Sequence, residues 1–291
     1  MERVVSTGVG LEADPLIVRA GRPERTVNAG RPDRAVTERI LDRADDAGHR
    51  AALVDATDGT VTGWPRFAWT VRAAARGLGR RGLTEADTAG VFVEDAASAA
   101  IAVNAIRAAG ATACLICSDA DPAYLAGRLN ACGARLLITT APLAERAAEG
   151  ADRSRVRQVI SFGEAAGTTP FGSLLEGGPH GAAAGPGALD ESGRPEGNGL
   201  PDHHGTPGGY RLDGPDGGLT RRDVVVATPP CGDGEAYVSL LDLTLLTGAM
   251  LVAAPLPVVM AAMRKYRGTA AIVPRGTAVP GLPPARIFPA A

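Results

Sequence analysis

The sequence is poor in aromatic residues and lacks any long apolar run. Phe, Trp and Tyr make up 4% of the 291 residues, whereas hydrophobic residues as a whole make up 45%. A buried core must therefore consist mainly of Ala, Val, Leu and Ile, and this apolar content excludes a wholly disordered chain. No stretch approaches the roughly 18 apolar residues of a membrane-spanning helix, so we expect no membrane association.

Lysine, cysteine and net charge are scarce as well. Lys265 is the only lysine among 30 basic residues, a bias that indicates GC-rich codon usage and no mechanism. Acidic and basic residues are interspersed and the formal net charge is −2, so nothing favours binding to nucleic acid. Four cysteines, with no apolar signal segment in residues 1–10, are typical of reduced thiols in a cytoplasmic protein.

Several segments carry helical patterns. Phe67, Val71, Ala74 and Leu78 recur at the helical period and predict an amphipathic helix. Residues 96–109 are small and apolar nearly all round, which predicts a helix that is buried on more than one side.

One helix has clear start and stop signals. Asp121 offers an N-cap oxygen, and Pro122 suits the first helical position because its missing N–H would have no partner there. Gly133 is a natural stop for the same helix, whose inner face includes Cys132.

Short apolar runs alternate with these helices and predict strands. Alternation of this kind favours an α/β fold with one or two parallel-leaning sheets flanked by helices. The predicted strands are 51–54, 89–93, 113–117, 136–139, 156–162, 223–228, 249–254 and 270–273.

The composition divides the chain into five segments. Residues 1–33 are rich in Arg, Pro and Gly and are interpreted as a disordered arm. Residues 34–163 are predicted to form a first α/β sub-domain, and residues 223–275 a fragment of a second. Between them, residues 164–222 form a Gly/Pro-rich loop region, and residues 276–291 are interpreted as a tail.

Several local sequences resemble the N-terminal domain of AMP-forming acyl-CoA synthetases, and 4-coumarate–CoA ligases most of all. Residues 38–44 followed by 50–55 are similar to that family's opening helix and its "PALID" strand. Residues 134–140 are similar to its "ARVLVT" strand, and 246–255 with 264–267 to its "LRAGATVV…EKYRVT" passage. The resemblance covers most of the chain and implies a domain that lacks the family's C-terminal domain.

The family binds ATP on a loop written roughly S-G-T-T-G-x-P-K-G, and residues 204–212 are its counterpart. Glycines in such a loop let backbone N–H groups approach the phosphates closely. Gly205, Thr206 and Gly208 match the pattern, and Arg211 stands at the position of the lysine. The resemblance therefore implies that these four residues contact the phosphates of ATP, with Mg²⁺ as the accompanying ion.

The same loop departs from the family's pattern. His204 replaces the first Ser, and Pro207 replaces the second Thr, which removes a hydroxyl and a backbone N–H together. Arg211 keeps the positive charge of the lysine but not its geometry. Residues 231–234, Cys-Gly-Asp-Gly, replace the aromatic and His residues with which the family shapes its acyl pocket. The "GYGxTE" and "TGD" motifs and the catalytic lysine have no counterpart before Ala291.

Three functions stay open from these observations, and no catalytic residue is assigned. The preferred hypothesis is a truncated ligase-like protein that does not adenylate alone and acts as a partner or binding subunit, in secondary metabolism. Its partner would be the missing ligase half, a carrier protein or a second copy. The second is a minimal or split ligase that activates an aryl or fatty acid with ATP. The third is ATP-independent acyl chemistry by His204, Cys231 or Asp233.

Three other patterns are interpreted as structural. Cys114 and Cys117 lie in a predicted strand, where positions three apart point to opposite faces, and no further ligands complete a metal site. Residues 202–204, Asp-His-His, are interpreted as solvated loop residues, although His49 or His180 would offer a third metal ligand. Residues 8–13 fit a loose dinucleotide-binding pattern, but Pro15 interrupts the helix that this pattern requires.

Overall fold

The computed structural model describes residues 34–176, 218–230, 232–282 and 287–290. These residues form eleven strands and eight α-helices. The strands are β1 (Ala51–Asp55), β2 (Val61–Gly63), β3 (Thr88–Phe92), β4 (Thr112–Leu115), β5 (Ala134–Thr140), β6 (Gln158–Phe162), β7 (Thr169–Pro170), β8 (Val224–Ala227), β9 (Met250–Ala253), β10 (Ala270–Pro274) and β11 (Ile287–Ala290). The helices are α1 (Arg34–Ala47), α2 (Trp64–Arg80), α3 (Ala96–Ala108), α4 (Pro122–Ala131), α5 (Ala144–Asp152), α6 (Gly172–Leu175), α7 (Gly234–Leu246) and α8 (Val259–Lys265).

The strands form two sheets. The five-stranded sheet has the order β4-β3-β5-β6-β7 and is parallel throughout. The six-stranded sheet has the order β11-β10-β8-β9-β1-β2, and its strands are parallel except for the antiparallel pair β1–β2. Parallel strands are usually buried on both faces, which agrees with the continuous apolar runs in the sequence. The predicted α/β fold with parallel-leaning sheets is confirmed.

Helices fill the space between the sheets and cover their outer faces. The largest core cluster contains residues of both sheets together with residues of α1, α2, α3 and α7. A second cluster packs α8 against the outer face of the six-stranded sheet. A third packs α4 and α5 against the outer face of the five-stranded sheet. Strand residues alternate between these clusters: Val225 faces the inner core, and Val224 and Val226 face α8.

Helix α3 lies between the two sheets. It contacts β3 and β4 of one sheet and β1 and β9 of the other. Its alanines are buried nearly all round, which confirms the prediction that this helix is covered on more than one side. Arg107, near its C-terminal end, forms a 2.7 Å ion pair with Asp242 of α7.

The two sheets do not follow the order of the chain. Strand β1 pairs with β9 in the register Leu53 to Leu251, although about 200 residues separate the two strands. The predicted segments 34–163 and 223–275 therefore do not each hold a whole sheet. The predicted tail also contains a strand, because Ile287 pairs with Ala271 of β10.

The capping signal at Asp121 acts as the sequence predicts. The side chain of Asp121 accepts a 2.8 Å hydrogen bond from the backbone N–H of Tyr124, and Pro122 begins α4. The side chain of Asp95 accepts a 2.6 Å bond from Ser98 N–H at the start of α3. Each cap satisfies one N–H group that would otherwise lack a partner within the helix.

A close contact fixes α6 against α2. A Cβ atom at Gly77 would lie 2.3 Å from the carbonyl oxygen of Leu174 and 2.6 Å from its Cα. The Arg80 guanidinium donates to the carbonyls of Leu174 and Glu176 at 3.1 and 2.6 Å, which holds the short helix in place. The absence of a side chain at Gly77 is therefore a packing requirement.

We expect Gly77→Ala to destabilise the protein, because the new methyl group would meet backbone that cannot move independently. The loss should be about 1–3 kcal/mol, the usual range for overpacking, measured by urea denaturation. The matched control is Gly79→Ala in the same helix, where a Cβ atom meets nothing within 4 Å. The control should gain up to about 1 kcal/mol from the better helix propensity of Ala. Equal stability changes in the two variants would contradict the packing argument.

Candidate functional site

The residues of the predicted phosphate loop lie outside the described residues. This applies to Gly205, Thr206, Gly208 and Arg211, and also to His204. Their assignment to ATP stays a prediction. Cys231, the other candidate for acyl chemistry, also lies outside the described residues.

The described chain on either side of residues 177–217 is anchored. Before them, the carbonyl of Glu176 accepts from Arg80. After them, Leu219 is buried in the inner core, and Asp223 accepts hydrogen bonds from the backbone N–H and the hydroxyl of Thr220 at 2.7 and 2.9 Å. The guanidinium of Arg50 donates to the carbonyl of Arg221. The segment that contains the predicted loop thus starts and ends at fixed points of the fold.

The carboxyl ends of the parallel strands carry an acidic group. In open α/β sheets this edge is where ligands bind. Asp55 ends β1 of the six-stranded sheet, and Glu94 and Asp95 follow β3 of the five-stranded sheet. Electrostatic interaction links the three side chains across the two sheets. We name Asp55, Glu94 and Asp95 the carboxylate cluster.

Burial and mutual repulsion disfavour negative charge in this cluster. Burial raises the pKa of Asp95, and the charge of Asp55 raises it further, against the hydrogen bonds from Ser98. Burial also raises the pKa of Glu94, with a contribution from Asp95 and an opposing one from Arg146. Sequence reasoning missed this cluster, although the signal was available: Asp55 and Glu94 come directly after predicted apolar strands, and Asp95 follows Glu94.

Two buried hydroxyls lie at the same edge of the five-stranded sheet. Thr139 and Thr140 end β5, and Thr139 pairs in register with Phe92 of β3. Among the described residues, the Oγ1 atoms of both threonines have no hydrogen-bond partner. The Arg146 guanidinium lies 5.5 Å from the centre of the Phe92 ring, and it donates to the carbonyl of Ala120 at 3.3 Å. This edge therefore combines carboxylates, a cation and hydroxyls that are free to accept or donate.

The end of β4 meets the start of α7 in a direct backbone contact. A Cβ atom at Gly234 would lie 2.3 Å from the carbonyl oxygen of Leu115, so only glycine fits there without a shift. The carbonyl of Pro230 accepts from the backbone N–H of Ser118 at 3.1 Å and from its hydroxyl at 3.2 Å. Glycine at 234 thus permits this contact in the segment where the resemblance predicts the family's aromatic and His residues.

Asp233 has a structural partner in this segment. Its carboxylate accepts a 3.0 Å hydrogen bond from Glu235 N–H and caps α7. Cys117 lies beside the same segment, and its Sγ is 3.5 Å from the carbonyl of Pro230. Burial and the hydrogen bond to Asp119 raise the pKa of the Cys117 thiol, so this thiol is a poor nucleophile. Within the described residues, no three His, Cys, Asp or Glu side chains are grouped to hold a metal ion.

The fold is that of the N-terminal domain of acyl-CoA ligases. A long-chain-fatty-acid–CoA ligase from Archaeoglobus fulgidus matches 82% of this chain and 51% of its own, with a TM-score of 0.62 and 17% identity. The amide bond synthetase McbA from Marinactinospora thermotolerans matches 83% and 49%, with a TM-score of 0.61 and 20% identity. A benzoate–CoA ligase from Burkholderia xenovorans matches 87% and 54%, with a TM-score of 0.60 and 17% identity.

Residues 40–178, a little under half of the chain, match the model of the AMP-binding enzyme family. This match and the fold confirm the resemblance to AMP-forming ligases, although the match ends before the predicted phosphate loop at 204–212. The chain spans about half the length of the solved structures described above. No curated protein sequence matches it significantly. None of the helices in the described ranges is both long and apolar enough to cross a bilayer.

We expect Asp95→Asn to stabilise the protein at neutral pH. Because the pKa of Asp95 is raised, its carboxyl group favours folding below the ordinary pKa of Asp, about 4. That contribution is lost as the pH rises through the raised pKa. Asparagine keeps the cap without ionising. Urea denaturation from pH 4 to pH 8 should show a gain for the variant at pH 7 that shrinks towards pH 4.

The control for this prediction is Asp121→Asn, which makes the same change at the N-cap of α4. This control measures the change in stability that replacing Asp with Asn at an N-cap causes by itself. A gain for Asp95→Asn that does not depend on pH, or a loss at pH 7, would refute the proposed cost of the Asp95 charge.

Proposed function

We propose that this chain is a ligase-like protein that does not adenylate by itself and acts as a binding or partner subunit. The contact between Gly234 and Leu115 carries the proposal. It lies in the segment where the resemblance implies the aromatic and His residues of an acyl pocket. Glycine backbone supplies none of the side-chain surface that would hold an acid in place.

Adenylation requires a carboxylate held in line with the α-phosphate of ATP, and cationic groups that stabilise the charge of the transition state. The carboxylate cluster disfavours both the binding of a carboxylate substrate at this edge and the stabilisation of a negatively charged transition state there. Burial, with a smaller contribution from neighbouring carboxylates, raises the pKa values of Glu94 and Asp95, so their ionised forms are disfavoured there. In the phosphate loop, Pro207 also removes one hydroxyl and one N–H donor.

Exposed apolar side chains support a role that involves a partner. Leu256 and Val258 follow β9 at the carboxyl edge of the six-stranded sheet, and 49% and 36% of their surfaces are exposed. Burying such side chains against another polypeptide is favourable. The partner we propose is a polypeptide that carries the second half of a ligase. A carrier protein or a second copy of this chain is the alternative, and secondary metabolism is the proposed setting.

A split or minimal ligase is the second candidate function. The specific observation in its favour is that Gly205, Thr206 and Gly208 match the family's phosphate loop, with Arg211 at the position of its lysine. In that case Gly205, Thr206, Gly208 and Arg211 would contact ATP with Mg²⁺, and a separate chain would complete the site. The relatives named as long-chain-fatty-acid–CoA and benzoate–CoA ligases suggest a fatty or aryl acid as the substrate.

We expect no nucleotide binding by the purified chain. Mg·ATP should leave its melting temperature unchanged, because a ligand stabilises a protein only when it binds the folded state. A split ligase instead predicts a rise of several degrees that disappears in Gly208→Pro and in Arg211→Ala. Such a rise would overturn the proposal.

Carboxylate-dependent exchange of labelled pyrophosphate into ATP tests whether the chain is a minimal ligase that adenylates without a partner. A panel of aryl and fatty acids should support no exchange above that of the Arg211→Ala variant. Exchange above this control with any acid would identify a minimal ligase and would name its substrate class.

A further inference from the structure

Helix α4 lies close over the five-stranded sheet because β3 has a glycine beneath it. A Cβ atom at Gly90 would lie 2.6 Å from Cδ2 of Leu129 and 3.0 Å from Cδ1 of Leu137. The Leu129 side chain of α4 therefore occupies the space that a side chain at position 90 would need. This contact fixes the height of α4 above β3 and its neighbour β4.

Two cysteines flank this contact. Cys114 of β4 is the register partner of Gly90, so its side chain points to the same face of the sheet, towards α4. Cys132 ends α4 three residues after Leu129, on the same side of the helix. Both cysteines pack against the cluster between α4 and the sheet, and their side chains interact with each other.

The two thiols differ chemically. The neighbouring Cys114 thiol, the backbone N–H of Ala134 and the charge of Arg128 lower the pKa of Cys132, against the effect of burial. The same contact and burial raise the pKa of Cys114. Cys132 is thus the more readily ionised thiol of the pair. Both residues are free and partly exposed, so small oxidants have access.

We propose that Cys132 and Cys114 form an oxidative modification site, in which a peroxide converts the two thiols into a reversible disulfide. The Cys132 thiolate attacks hydrogen peroxide, which yields a sulfenic acid and releases hydroxide. The Cys114 thiol then transfers its proton to the sulfenic oxygen as its sulfur bonds to Cys132, and water leaves. Two thiols lose two electrons in total, and the peroxide takes them up. A low-molecular-weight thiol restores the reduced pair by disulfide exchange.

The third described cysteine is not part of this pair. Cys117 follows the end of β4 and hydrogen bonds to the carbonyl of Pro230, at the contact with α7. The structure thus assigns the reactivity to Cys132 and the resolving role to Cys114. A disulfide between them would tie the edge strand β4 to the end of α4.

The test uses the full chain with Cys117→Ser, treated with graded hydrogen peroxide, quenched, blocked with N-ethylmaleimide and digested with trypsin. This background is needed because Cys114 and Cys117 share the tryptic peptide 108–128, whereas Cys132 lies in peptide 129–135. Serine keeps the hydrogen-bonding capacity of Cys117. We expect mass spectrometry to find these two peptides linked, with loss of both maleimide sites and recovery of both on reduction. In the wild-type chain, fragmentation between residues 114 and 117 should place the same link.

Two controls make the proposal refutable. Removing the resolving thiol by Cys114→Ser should leave Cys132 as a sulfenic acid that dimedone traps, in severalfold excess over the parent. In the urea-unfolded chain, the preference for this pair should disappear. The proposal is wrong if both cysteines stay reactive to maleimide after peroxide treatment. It is also wrong if Cys117 forms the first disulfide of the wild-type chain, or if dimedone labels the parent and Cys114→Ser equally.

Discussion

The burial of α3 between two parallel sheets is the constraint on which the rest of this structure depends. A helix that contacts strands on both sides must present small side chains all round, and Ala96–Ala108 supplies them. Polar groups on such a helix must be satisfied internally. Asn104 meets this need, because its amide donates to the carbonyl of Ala100 at 2.8 Å and its oxygen accepts from the hydroxyl of Thr37 at 2.9 Å. The position of α3 in turn places its N-cap, Asp95, at the edge where the carboxyl ends of both sheets meet.

The sequence predicts those features that depend on local chemistry. The all-round apolar pattern of residues 96–109, the cap at Asp121 and the alternation of strands and helices each follow from neighbouring residues, and the structure contains all three. Strand partners are different, because a run of valines fits any parallel neighbour. The pairing of β1 with β9 joins residues about 200 positions apart, and no local pattern specifies it. Because no local pattern specifies this pairing, the sequence analysis assigns β1 to the first sub-domain, whereas its partner β9 lies in the predicted second one.

The candidate site divides in the same way. The resemblance to the family's phosphate loop points to residues 204–212, whereas the described site consists of side chains from separate elements that only the fold brings together. The charge of Asp55 interacts with Asp95 because the two sheets end at the same edge. Cys114 lies near Cys132 because the glycine at position 90 lets Leu129 of α4 pack against β3. The sequence of one strand or one helix alone does not predict this arrangement. The prediction that Cys114 and Cys117 share one strand is wrong, because β4 ends at Leu115 and Cys117 follows it. The strand pattern also gives no information about a partner of Cys114 on α4.

The carboxylate cluster and the contact between Gly234 of α7 and Leu115 both disfavour the binding of an acid and a triphosphate at this edge. A site that binds an acid and a triphosphate needs space for the acid and positive potential around the phosphates. Here Gly234 lets backbone approach backbone at Leu115, and Asp95 retains a carboxyl group whose ionised form is disfavoured by burial. Asparagine would cap α3 equally well without that cost. The cap of α3 therefore does not require an ionisable group at position 95.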